Sequence, residues 1–312
     1  MDKASAAIVL LAILLQGCAT SHAARAARAQ RDLQHAVSEL EKRTDADSLA
    51  AAGLMSRFQA GPGVSLAMIG RATSVAPQRA DLAWLDIQAC QQAPGCDPES
   101  RELRLRTLDP ANGAAWLNAL ARAGASNDEA AATAALADLA RAQRVDTYWT
   151  SLVVHLTGAL AATGDVPLRD ALVDVIGVLA AQSMPGYRST SELCLGQRLA
   201  NVERLEACRG VASAFELGDT YITAMIGAVI AKRVWPADSA QWRAADESRR
   251  VYEYRSQLWT QWEAALLRDP QRVQSFLTLC ARNRREQDVY SAELIDEGKN
   301  PDPPPDWKPR SR

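Results

Sequence analysis

Apolar residues recur along much of this chain at three- and four-residue spacing, the period of a helix that buries one face. Trp116, Leu117 and Leu120 form one such face, and Ala132, Leu136 and Leu139 form the next. Gly124-Ala125 breaks the pattern between them, and Ser126 with Glu129 has the spacing of a capping box. A helical hairpin is predicted here. Further on, Gly218 ends one predicted helix and Asp219 or Thr220 caps the following one. Between Pro236 and Pro270 no turn signal interrupts the middle. One long helix is expected there, carrying Trp242, Tyr252, Tyr254, Trp259 and Trp262.

The two ends depart from this pattern. Ala6 to Leu15 is an unbroken apolar run. As a helix it would be roughly 15 Å long, half of a bilayer core of about 30 Å, which suits the apolar region of a secretory signal. Residues 18–49 are polar and Ala-rich over most of their length and are expected to form a tether helix or a loosely docked first helix, with the folded body starting near Ala50. Residues 297–312 carry five prolines and almost nothing to bury, so a disordered, polyproline-like tail is expected.

Within the body, Trp84, Trp116 and Trp149 lie 32 and 33 residues apart, each preceded by a turn signal around Pro77, Pro110 or Asp146. This resembles a degenerate tetratricopeptide-type repeat, a pair of antiparallel helices that stacks into a solenoid. Trp116 matches the aromatic that opens helix A, Ala132 the small residue of helix B, and Pro110 the terminal proline. The Gly and Tyr of helix A are missing, with Ala119-Leu120 and Ala123 in that region. The resemblance covers residues 50–164 and implies an all-α solenoid of antiparallel helix hairpins; plain helical hairpins of similar length are the alternative. Residues 165–296, where the period blurs, are expected to form a second helical subregion.

Composition agrees with helix. Of the 48% hydrophobic residues much is Ala, and aromatics make only 5%, so β-branched stock for a large sheet is short. A net charge of −2 without a basic block argues against nucleic acid as a partner.

Leu15-Gln16-Gly17-Cys18 resembles the lipobox of bacterial lipoproteins. That resemblance implies a signal peptide over 1–17, acylation of Cys18, and a membrane anchor through its lipid. Ala19 is not the Asp that commonly retains such proteins at the inner membrane, so the outer membrane, on its periplasmic face, is the expected address.

Five further cysteines would then meet an oxidising compartment. A Pro-Gly turn between Cys90 and Cys96 can bring their sulfurs together, and Cys194 with Cys208 would bridge neighbouring helices. Cys280, inside an apolar helical stretch, is expected to be free and buried. Three histidines and no C-x-x-C leave a zinc site with little support, and no metal or cofactor is expected.

No nucleophile elbow, metalloprotease helix or phosphate-binding glycine loop is present. His155 lies in an apolar helix and is expected to be a hydrogen-bonded, partly buried histidine rather than a general base, while His22 and His35 fall in the tether and are expected to be solvated. Asp128-Glu129 and Asp246-Glu247 read as helix starts or exposed faces. Arg243, Arg249, Arg250 and Arg255 interleave with aromatics, which favours an aromatic core with an arginine rim over a ligand surface. The expectation is a lipid-anchored, non-enzymatic adaptor for a protein or peptide partner at the outer membrane. A divergent periplasmic enzyme or a structural envelope lipoprotein are the alternatives. A deep pocket with convergent acids would favour the enzyme, and a long groove the adaptor.

Overall fold

A computed structural model describes residues 27–308 apart from 58 and 183. Among the described residues there are fifteen α-helices and no strand, so the fold is all-α. The first helix, α1, covers residues 27–41. Of the two expectations for it, the docked first helix holds and the free tether does not. Ala36, Val37 and Leu40, at helical spacing, are buried in the main core. Its sides are tied down too, by His35 Nδ1 2.9 Å from Asp165 Oδ2 and by Arg43, which donates to the Ala162 carbonyl at 3.1 Å. The folded body therefore begins before Ala50.

Helix α2 (Ala46–Ser56) starts on Asp45, whose carboxylate accepts the Ser48 N–H. Every residue from Ser48 to Ser56 is buried, because other helices surround it. From it the chain folds back and forth through α3 (Pro62–Val75), α4 (Ala80–Cys90), α5 (Pro98–Leu108), α6 (Ala114–Ala125) and α7 (Glu129–Ala140), each packed on its predecessor. The capping residue of α7 is Asp128, accepting from Ala131 N–H, and not Ser126, whose hydroxyl donates back to the Arg122 and Ala123 carbonyls.

After α7 the stacking order changes. Helices α8 (Trp149–Ala161) and α9 (Leu168–Ala180) pair with each other and return to α2. The places beside α6 and α7 go instead to α10 (Pro185–Leu193) and α11 (Val202–Glu216), which a short turn of 3-10 helix, Gly196–Ala200, connects. This departs from the sequential stacking of a solenoid expected for residues 50–164. Two glycines show why these pairings are tight. A Cβ on Gly186 would lie 2.3 Å from the Leu117 carbonyl oxygen, and one on Gly210 would lie 2.5 Å from that of Ala140. The three tryptophans are consequently not equivalent: Trp84 is 2% exposed, whereas Trp116 and Trp149 are half-buried.

Helix α12 (Tyr221–Val234) lies between α11 and the long α13 (Ala240–Leu266), whose 27 residues match the uninterrupted helix expected there. Thr220 caps α12, accepting the Thr223 N–H. Helices α14 (Pro270–Arg282) and α15 (Glu286–Asp296) close the body, α14 against α8 and α15 against α13. One core runs from Ala36 to Ala245, across the expected division at residue 164. A second gathers Val153 and Leu172 with Phe276, Leu277 and Val289.

The described part of the tail is docked rather than disordered. Arg250 donates to the Pro304 carbonyl and Arg255 to that of Pro301, both at about 3 Å, and Tyr254 meets Trp307 edge-on at 5.3 Å. A polyproline chain leaves its carbonyls free, and the arginines of α13 supply the donors.

Candidate functional site

Four connectors converge at one end of α8, α12 and α15. Between α7 and α8 the segment from Arg144 to Thr147 is bonded to α11 through Val145 N–H on the Ala214 carbonyl. Val145 in turn accepts the Asp219 N–H. Asn112, before α6, clamps this segment: its amide donates to the Asp146 carbonyl and its oxygen accepts the Asp146 and Ala114 N–H groups. Tyr148 has φ of 58°, the left-handed region that a tyrosine seldom adopts. Its hydroxyl donates to Asp109 at 2.7 Å and its N–H to Asp146 at 2.9 Å, which hold it there.

Two carboxylates sit at the centre. Asp146, 1% exposed, pairs with Arg144 and with Arg284 from the connector before α15. Asp219 is fully buried, accepting the Thr147 hydroxyl and the Trp149 N–H at 2.9 Å. Burial pushes its carboxyl well above the usual range, and the neighbouring Asp146 charge adds to this. Its backbone carbonyl accepts the Glu286 N–H at 2.7 Å, so the start of α15 is fastened to the start of α12.

Above this floor opens a cavity of about 410 Å³. The connectors contribute Thr147 and Thr220, the first residues of α8, α12 and α15 contribute Trp149, Tyr221 and Glu286, and helix faces contribute Trp84, Leu152, Ile176, Tyr187 and Tyr290. Tyr221 and Tyr290 stack at 5.1 Å, and Trp259 stacks on Tyr290 at 3.6 Å, which stiffens this wall. Tyr187 is fixed by a 2.6 Å hydrogen bond to Thr223 and an edge contact with Phe215. Ile222, 64% exposed, stands at the mouth.

Glu286 is the acid that lines the cavity. Its carboxylate accepts the Tyr221 N–H and the Tyr290 hydroxyl, both at 2.7 Å. Burial raises its carboxyl above the usual range, and those two hydrogen bonds oppose the rise. Asp219 lies beneath and does not line the cavity, so the acids do not converge on a shared space. The enclosed volume and mostly apolar wall suit capture of an apolar group.

The disulfides Cys90–Cys96 and Cys194–Cys208 are formed, with Cα separations of 5.4 and 5.6 Å, and Cys280 is free and buried. They hold a turn after α4 and the junction of α10 with α11, away from the cavity wall. Cys18 and its Leu15 to Gly17 motif, with His22, lie outside the described residues. His155 is half-buried and hydrogen-bonded to Asp47 at 3.1 Å, the hydrogen-bonded histidine expected there. Asp128-Glu129 and Asp246-Glu247 are exposed; Glu129 meets Arg204, Asp246 meets Lys232 and Glu247 meets Arg250. Arg250 and Arg255 serve the tail, Arg249 pairs with Glu253, and Arg243 donates to the Asp238 carbonyl. No group of three potential metal ligands occurs among the described residues. None of their helices is long and apolar enough to cross a membrane.

Sequence reasoning missed Glu286, Tyr187 and Tyr290. The available signal was local: Glu286 and Tyr290 stand four apart, one turn along the same helix face. Trp149 was conspicuous, but as a repeat anchor. No family model matches the chain, and no curated protein or solved structure matches it either.

Proposed function

We propose that this chain is a lipoprotein of the bacterial outer membrane whose helical body works as a binding adaptor, not as an enzyme. The carrying observation is the aromatic cavity, held open by a rigid polar floor and bearing one acid. Acid–base hydrolysis by paired carboxylates needs two acids facing one substrate. A stiff apolar recess with an exposed Ile222 at its rim instead suits an apolar group of a partner. The anchor rests on Leu15 to Cys18, and acyl chains there would keep the recess beside other envelope proteins. The recess is compact rather than a long groove, so the partner inserts one group and does not lay down an extended segment.

A photo-reactive residue at Ile222 in the native envelope tests this. Val202, 72% exposed at the far end of α11, is the control position. The adaptor reading expects a defined crosslinked partner from position 222, little from 202, and release of the protein from the membrane fraction by Cys18→Ser. Equal capture from both positions would contradict it.

A further inference from the structure

Glu286 is a carboxylate without a counter-charge. Among the described residues it has no ion-pair partner, and none of those lining the cavity is a lysine, arginine or histidine. Two hydrogen bonds, from Tyr221 N–H and Tyr290 Oη, occupy about half of the roughly four acceptor positions of a carboxylate. Glu286 is half-buried, and a partly desolvated charge without a counter-ion carries a cost. Trp84, Trp149 and Tyr187 also line the cavity, and the faces of aromatic rings carry partial negative charge. Acid and rings therefore favour the same sign of ligand.

We propose that the cavity recognises a primary ammonium group carried on an apolar body, the ammonium against Glu286 and the body among the rings. This rests on the adaptor reading above and names the chemistry of what enters. A cation offsets the desolvated charge of Glu286 and gains from the rings. A neutral isostere gains only the apolar burial, and an anion is repelled. The group can arrive as a small amine or as the lysine side chain of a partner, and both present the same chemistry to Glu286.

Titration calorimetry on the oxidised chain, with phenethylammonium, phenethyl alcohol and phenylpropanoate as near-isosteric probes, decides the matter. Acetyl-lysine methylamide tests the lysine source. At least one ammonium probe should bind about tenfold or more tightly than the alcohol, a difference of about 1.4 kcal/mol, and phenylpropanoate should not bind. The tighter ammonium probe identifies the source. Glu286→Gln, which retains an acceptor for Tyr221 N–H, should reduce the ammonium advantage to less than about twofold while leaving alcohol binding unchanged. Circular dichroism and the melting temperature establish that the variant is folded; if it is not, Tyr290→Phe, which removes the competing hydroxyl donor to Glu286, should strengthen ammonium binding relative to the alcohol. Alcohol bound as tightly as the ammonium probes would overturn the inference and leave the adaptor reading standing. Absence of binding by every probe would overturn it as well, and the crosslinking at Ile222 would then judge the adaptor reading separately.

Discussion

Buried carboxylates give individual residues a measurable signature. Glu293 is 5% exposed, and one of its oxygens has no hydrogen-bond partner. Burial first, then the charges of Asp296 and Glu297, push its carboxyl up to about 7. Asp219 is raised for similar reasons. In both the neutral acid is the form the fold prefers. Their contribution is full below the ordinary carboxylate range and is lost as pH rises through the raised values. Asp47 and Asp81 are lowered, so their contribution falls away only at pH below that range and does not oppose this trend. Denaturant unfolding should therefore show a drop of more than about 1 kcal/mol between pH 5 and pH 7.5. Glu293→Gln with Asp219→Asn should flatten it. A wild-type chain equally stable at both values would show that these carboxyls titrate normally.

Helix elements are joined at points where only glycine fits. Gly186 and Gly210 set α10 on α6 and α11 on α7, and the atoms that a Cβ would strike are backbone oxygens that cannot rotate aside. Gly186→Ala or Gly210→Ala should cost about 2 to 3 kcal/mol by overpacking. Gly63→Ala in α3, where a Cβ meets nothing, should be neutral or slightly stabilising. Equal effects at all three positions, measured by chemical unfolding, would refute these crossings. The elements themselves were legible, since apolar spacing, Gly218 and Thr220 are local signals read within one turn. Asp128 displaced Ser126 as the cap of α7 because Asn127 takes a left-handed conformation, with φ of 53°, just before it. The docked tail escaped sequence reading for a different reason: its partners, Arg250 and Arg255, lie about fifty residues away in the chain.

At the scale of the whole molecule, what remained illegible was the order of packing. Trp84, Trp116 and Trp149 have repeat-like spacing, yet α8 returns to α2. Arg79 and His155 both meet Asp47 there, a contact joining residues 108 apart at its widest. Long-range choices of this kind depend on side-chain fit and not on period. That return brings Trp149 beside the starts of α12 and α15, and so makes the cavity. The candidate site was therefore visible only in pieces: Trp149 as an anchor, Asp219 as a possible cap, Glu286 not at all.

In the proposed adaptor this cavity, and not a surface around it, engages the partner. Ala180 is exposed, ends α9 and lines the cavity, so Ala180→Trp would lay an indole across the opening without entering the core. The direct measurement is the yield of partner crosslinked from Ile222 in the native envelope, with and without that substitution, at equal protein level and melting temperature. Ala180→Trp should abolish capture. Undiminished capture would show that the partner binds elsewhere and would contradict it.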